Sequence, residues 1–226
     1  MKLLVFSHKE VWRSKDSPSG WATDGGFVFH MMGVGSIFDE IEVIVPEISP
    51  KNQGEIHFKD PKLTITPIKI NSKLSGWRKK LAVLFWAIGN YFYCRRKIKR
   101  GDMVHIPIPS DIGSVGMLIT HWMNKPMFIR YCGNWLVRRT RAEAFWQDFM
   151  IKHSGKNLLG LATGGTDSPP SEVNKNIQWI FSTSLTENEL KQYAKVKKDY
   201  QREKDRIDLV TVGRQIKNKG IELCLQ

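Results

Sequence analysis

The chain has 226 residues, 41% of them apolar and 25% charged, with 35 Lys/Arg against 22 Asp/Glu and a formal charge of +13. That balance supports a buried core and excludes a disordered chain or a bundle of membrane spans. Three cysteines, Cys94, Cys132 and Cys224, lie far apart with no CxxC spacing and no paired histidines, so neither a disulfide framework nor a zinc site is expected, and the setting reads as reducing and cytoplasmic.

The N-terminal run Leu3-Leu4-Val5-Phe6 is too short for the apolar region of a signal peptide and reads as a buried strand over 2–7. A long polar loop, Ser7 to Asp24, follows and ends in Asp24-Gly25-Gly26, where a helix starts and runs to about Ser36. Strands are expected near 41–46 and 62–70, with an irregular stretch from Ser49 to Lys59 between them. A long helix spans roughly 75–100. Its apolar middle, Leu81 to Cys94, is 14 residues, short of the roughly 20 that cross a bilayer as a helix.

Further on, strands near 103–107, 126–131, 157–163, 177–183 and 207–212 alternate with helices from Ser110 or Asp111, over 139–152 and over 186–200. Ser110 or Asp111 caps the first of these by accepting bonds from free N–H groups. Thr186 and Glu189 stand at capping-box spacing. Gly164 to Asn176 reads as a surface loop. Such alternation predicts an α/β fold with a Rossmann-like, mostly parallel sheet flanked by helices. The charged run Arg202-Glu203-Lys204-Asp205 marks a boundary, giving a domain over 1–204 and the start of a second over 205–226.

Two segments carry cleft chemistry. Gly25-Gly26 at a helix start lets a ligand approach the backbone and favours an anion at the unpaired N–H groups, although a flexible turn explains the glycines equally well. Nothing forms GxGxxG, which argues against a dinucleotide-dependent dehydrogenase. In Val212-Gly213-Arg214-Gln215-Ile216-Lys217-Asn218-Lys219-Gly220, a strand ends at a glycine and two cations follow. Arg grips a phosphate bidentately and Lys supplies a point charge; a solvated basic turn is the plainer reading.

The ordered set Gly25-Gly26 with His30, Asp102-Met103-Val104-His105, Lys125-Pro126 and Val212-Gly213-Arg214…Lys219-Gly220 resembles glycosyltransferase family 4. The resemblance implies the N-terminal, acceptor-side half of a GT-B fold. The activity it implies is retaining transfer of a sugar from a UDP- or GDP-sugar to an acceptor hydroxyl, with no cofactor and no required metal, in cell-surface polysaccharide or glycolipid synthesis. It implies that Gly25, Gly26, Arg214 and Lys219 hold the donor diphosphate. Asp24, Arg130, Cys132, Asn134 and Arg138 fall in the acceptor cleft, and Asp111 is a further candidate contact that helix capping also explains.

Three departures from the family pattern are plain. Cys132 stands where many members carry a histidine near the transferred sugar, and it reads as a small buried apolar residue, not a nucleophile. Trp179 to Ser184 lacks the common Pro-Asn-Gly turn. The family's acidic donor motif does not occur before Gln226, so residues 1–226 are expected to have little transferase activity alone. No residue is identified as the catalytic base.

Eleven Lys/Arg and no Asp/Glu lie between Pro61 and Gly101, leaving only +2 for the rest of the chain. On the long helix, Trp77, Arg78, Lys79, Lys80, Arg95 and Arg96 flank an aromatic middle, a pattern suited to the surface of an anionic membrane. Burial of the apolar middle against the sheet, with solvated basic ends, is compatible with it. Nucleic acid is not expected, because no recognition motif accompanies the charge. His8, His57, His121 and His153 show no ligand spacing and read as ordinary residues. The expected partners are therefore a nucleotide sugar, a glycan or lipid-linked acceptor and a membrane surface. A non-enzymatic Rossmann-like module that binds anionic membranes or polyanions through helix 75–100 is the alternative.

Overall fold

A computed structural model of the chain describes residues 1–50, 55–69, 76–181 and 187–199. The chain divides into two compact units, Met1–Ser184 and Leu185–Gln226. In the second, only one helix, Glu187–Asp199, is described. Thr186, the strand expected over 207–212, Arg214 and Lys219 lie outside the described residues.

The first unit is built on a seven-stranded sheet. Its strands are β1 (Lys2–Phe6), β4 (Glu40–Pro46), β6 (Leu63–Ile68), β7 (Met103–Ile108), β8 (Met127–Tyr131), β9 (Leu158–Thr163) and β10 (Ile177–Ile180). The spatial order is β10-β9-β8-β7-β1-β4-β6, and every pairing is parallel. The order runs outward in both directions from β1, which is the doubly wound, Rossmann-like arrangement. Strands buried on both faces need continuous apolar runs. Leu3, Leu4, Val5 and Phe6 of β1 are accordingly all buried.

Two cores fill the two faces. On one, α1 (Phe27–Gly35) packs Val28 and Met31 with Leu3, Val5, Val43 and Val45. On the other, α2 (Gly76–Arg100), α3 (Asp111–Trp122) and α4 (Arg141–His153) pack Cys94, Ile98, Met117, Phe149 and Met150 with Leu4, Phe6, Ile44 and Ile106. Helix ends follow local chemistry: Ser110 Oγ accepts from Gly113 N at 2.9 Å to start α3, and Thr140 forms a capping box with Glu143 to start α4.

The long polar loop expected over Ser7 to Asp24 needs correction. It contains β2 (Trp12–Arg13) and β3 (Trp21–Thr23), which join β5 (Ile56–His57) in a second, three-stranded sheet ordered β2-β3-β5. Val11, Trp12, Trp21 and Ala22 are buried. Strands of two and three residues are too short to establish a period of two, and their partner comes from the stretch that reads as irregular in sequence.

One acid locks the long helix to the sheet. Glu42 on β4 is buried and paired with Lys97 of α2, and it also accepts from Thr66 Oγ1 at 2.7 Å and meets Lys2 Nζ at 3.2 Å. Burial alone would raise the Glu42 carboxyl, but the hydrogen bonds from Lys97, Thr66 and Lys2 outweigh it and hold its pKa below the usual value.

Gly116 sits where α3 crosses β1, and a Cβ there would lie 2.4 Å from Phe6 Cγ. Overpacking costs about 1–3 kcal/mol, against only about 0.3 kcal/mol of helix propensity that valine gains over glycine. Because Phe6 is fully buried and has no room to retreat, Gly116→Val should lower stability by about 1–3 kcal/mol net. A reduced urea midpoint is the expected reading, and an unchanged one would contradict the packing.

Candidate functional site

The crossover from β1 to β4 passes through α1 on one face, while that from β7 to β8 passes through α3 on the other. Neighbouring strands β1 and β7 therefore send their chains apart at their carboxyl ends and leave a crevice, the usual ligand site of open α/β sheets. Gly25 enters α1 at φ 67°, a left-handed conformation that favours glycine. Gly26 is the N-cap and brings no side chain to cap the helix, which starts at the carboxyl edge of the sheet just after β3. Asp24 pairs with Lys9 across the loop. That pair neutralises the nearest acid to the glycines.

On the opposite wall, a recess of about 510 Å³ is lined by His8, Lys80, Pro109, Ser110, Asp111, Ser114 and Trp146. His8 follows β1 and Ser110 starts α3, so two strand ends and the first turns of α2 and α3 converge there. Asp111, a helix-capping candidate in sequence, lines the recess. Its partner in the cap is instead Ser110, whose hydroxyl makes the capping bond.

Beneath α1 lies a polar group that the core does not satisfy. His105, at the centre of β7, is fully buried, stacks on Phe128 with ring centroids 4.3 Å apart and makes a T-shaped contact with His30 of α1 at 5.8 Å. Its Nδ1 reaches Phe128 O at 3.4 Å. Nε2 of both histidines and Nε of Arg130 have no hydrogen-bond partner among the described residues. Burial lowers the His30 pKa to about 4 and that of His105 to about 3, with Arg130 and, for His105, His30 adding in the same direction. Both rings are neutral at physiological pH.

The other sequence candidates separate. Arg130 is partly buried on β8 next to this histidine pair. Cys132 is exposed, which corrects its reading as a buried apolar residue. Crowding around its sulfur raises the thiol pKa, with Arg130 opposing, so it is a poor nucleophile. Asn134 Oδ1 accepts from Leu136 N at 3.0 Å and shapes its own turn. Arg138 is held against α4 by Gln147 at 2.8 Å and Asp148 at 2.8 Å. Arg214 and Lys219 fall outside the described residues.

On α2, Trp77, Arg78, Lys80, Arg95 and Arg96 are exposed, and Lys79 lies in the same basic turn. The apolar middle is not simply buried. Cys94 and Ile98 enter the core, whereas Leu84, Phe85, Ile88 and Phe92 are exposed. The aromatic middle that the sequence suits to a surface is thus divided, and the exposed part keeps the helical spacing 77-81-84-85-88-92.

Two further histidines also come together. His121 and His153, ordinary residues by sequence spacing, make a ring contact at 4.6 Å and line a depression of about 320 Å³ with Lys125 and Lys156. No group of three or more metal-ligating side chains occurs among the described residues.

No family model matches the chain, and no curated protein matches it. Among solved structures, the crystal structure of UDP-N-acetylglucosamine 2-epimerase is similar over 70% of this chain and 46% of that one, at 10% identity and a TM-score of 0.35. The chain thus spans under half of that neighbour's length, and a superposition so loose does not bear on chemistry.

Half-buried His30 and buried His105 set an acid dependence of stability. Their folded pKa values lie below the ordinary 6.5, so the unfolded chain binds the protons first and stability falls as pH drops from 6.5 toward 4. Fully buried His105 contributes up to about 1.4 kcal/mol per pH unit in that window, and half-buried His30 contributes less because solvent screens it. His105→Phe keeps the stacking on Phe128 and should flatten the slope of the urea midpoint between pH 6.5 and 4. An unaltered slope would show that His105 does not stay neutral in the fold. Loss of the Glu42 pairing acts only at lower pH.

Proposed function

We propose that this chain is the acceptor-side domain of a GT-B glycosyltransferase, transferring a sugar with retention from a UDP- or GDP-sugar to an acceptor hydroxyl in cell-surface polysaccharide or glycolipid synthesis in the cytoplasm. The observation that carries this reading is the crevice between β1 and β7. There an α-helix N-terminus without a side-chain cap, reached through left-handed Gly25, stands opposite a polar recess. The order of motifs from Gly25 to Gly220 supports the same reading.

In this mechanism the diphosphate of the donor accepts hydrogen bonds from the first N–H groups of α1, close to the Gly25 and Gly26 backbone. A side chain at either position would narrow that approach. By the family resemblance, Arg214 and Lys219, outside the described residues, are further candidates to neutralise a donor diphosphate, on which charge develops as the glycosidic bond breaks. The acceptor occupies the recess beside His8, Ser110 and Asp111, where an imidazole and a carboxylate stand within one small volume to orient a hydroxyl and take its proton. Neutral His30 on α1 and His105 beneath it add no positive charge of their own near the helix start.

The test is nucleotide-sugar affinity across a UDP- and GDP-sugar panel by calorimetry. Gly25→Val forces a branched side chain into a left-handed position and should weaken binding at least tenfold with unchanged far-UV circular dichroism. Gly26→Val, at the N-cap of the same helix, should weaken it by a similar factor. A panel in which no nucleotide sugar binds, or in which both variants bind like the parent, would refute the reading.

A further inference from the structure

Helix α2 is apolar on two opposite faces. One face sends Val83, Cys94 and Ile98 into the interior of the domain. The other carries Trp77, Leu81, Leu84, Phe85, Ile88 and Phe92, spaced four, three, one, three and four residues apart, so they form a single stripe along about four turns of helix. These are not grazing exposures: Phe85 is 69%, Ile88 66% and Phe92 80% exposed. Scattered surface apolar residues need no explanation, but a contiguous stripe of this kind marks an interaction surface.

The stripe borders a trench. Between α2 and α3, a groove of about 490 Å³ is walled by Leu84, Ala87, Ile88, Tyr91, Leu118 and Trp122, with almost no polar surface in it. It is continuous with the polar recess at the sheet's carboxyl edge, because Leu84, Ala87, Val115 and Leu118 wall both. Both helices start at that edge and run away from it. The trench therefore leads from the candidate acceptor recess down between the helices and opens beside the exposed stripe.

Charge decides the occupant. Residues 76–100 hold eight Lys/Arg and no Asp/Glu. Arg78 and Lys80 stand at the recess end, and Arg95, Arg96, Lys99 and Arg100 at the other, all exposed. A second copy of this chain packed stripe to stripe about a two-fold axis would bring two such basic helices together, which like-charge repulsion opposes. An anionic phospholipid leaflet offers what both features need: hydrocarbon for the stripe and phosphates for the flanking cations. Among the described residues no helix is long and apolar enough to cross a membrane, so the contact lies in the plane of the interface.

We propose that α2 docks on an anionic phospholipid bilayer through Trp77, Leu81, Leu84, Phe85, Ile88 and Phe92, and that the α2–α3 trench takes one lipid hydrocarbon chain from the leaflet. The chain's polar end then lies at the recess beside His8, Ser110 and Asp111. Acceptors of the class that carry such a chain are the ones this geometry selects. Docking itself does not depend on nucleotide-sugar binding, so it stands or falls separately from the transferase reading.

Flotation with phosphatidylcholine vesicles containing phosphatidylserine, at low salt, tests the surface. The chain should float, and both Phe85→Glu and Ile88→Glu, at exposed positions that leave the core intact, should cut the bound fraction at least fivefold. Arg95→Ala with Arg96→Ala should weaken partitioning by about fivefold per cation, the equivalent of about 1 kcal/mol each. A phosphatidylserine bearing a mid-chain diazirine, irradiated in the same vesicles and mapped by mass spectrometry, should label Leu84, Ala87, Tyr91, Leu118 or Trp122. Ala87→Trp, which fills the trench from its wall, should abolish that label while flotation persists. Failure to float, flotation indifferent to Phe85→Glu and Ile88→Glu, or label absent from the trench would overturn the proposal. So would a concentration-dependent dimer that Phe85→Glu dissociates, or single-stranded RNA that displaces the chain from vesicles at micromolar concentration.

Discussion

The parallel placement of β1 between β4 and β7 is the constraint on which the rest depends. A right-twisted strand joined to a parallel neighbour by a helix takes a right-handed crossover. The turn from β1 toward β4 therefore carries α1 to one face, and the turn from β7 toward β8 carries α3 to the other. Their N-termini separate at the carboxyl edge and leave the crevice between β1 and β7. Gly25, His8, Ser110 and Asp111 share one region only because the two strands that deliver them are hydrogen-bonded neighbours, Leu4 beside Val104 and Val5 beside His105.

The second determinant is the way α2 is fixed. Buried Glu42 binds Lys97 in the last turns of α2 while also touching Lys2 and Thr66, tying the helix to three strands at once. A single carboxylate in an apolar sheet would be costly without such partners. The pair lies on the same side of α2 as the residues that pack on the core, so both hold the helix in one rotation. Cys94 and Ile98 turn inward, and the aromatic and aliphatic stripe from Trp77 to Phe92 is left outside. The basic character of the segment is unchanged by this choice; its meaning is not, since the cations now frame an exposed apolar surface instead of the ends of a buried helix.

The histidine pair forms a third, quieter feature. His105 replaces an apolar residue in the centre of a core strand, and its neutral ring leans on Phe128 and His30 with unused nitrogen atoms. Arg130 stands close enough to depress the pKa of both rings. The core beneath α1 thus tolerates polarity at the expense of acid stability, directly below the helix whose N-terminus faces the crevice.

Much of this architecture was legible in the amino-acid order. The runs Leu3 to Phe6, Ile41 to Val45 and Val104 to Ile106 are apolar except for Glu42 and His105, so they read as interior strands, and the helical segments between them required a parallel sheet. Ser110 or Asp111 marked a helix start because a short polar side chain before an apolar period has one favourable local use, whereas the capping box at Thr140 was not singled out. The sheet of β2, β3 and β5 was not legible, since strands of two or three residues carry no period and find each other only through the burial of Trp12, Trp21 and Phe58. The exposure of Cys132, the contact of His121 with His153 and the meeting of His30 with His105 likewise depended on chain separations that no local pattern encodes. Sequence alone determined the alternation of strands and helices, the basic segment and the glycines before α1, because each is a matter of neighbours along the chain. Tertiary structure alone decided which face of α2 is buried, because two apolar stripes compete for one core, and the packing of Cys94, Ile98, Trp86 and Tyr93 together with the pairing of Glu42 with Lys97 turns one of them inward.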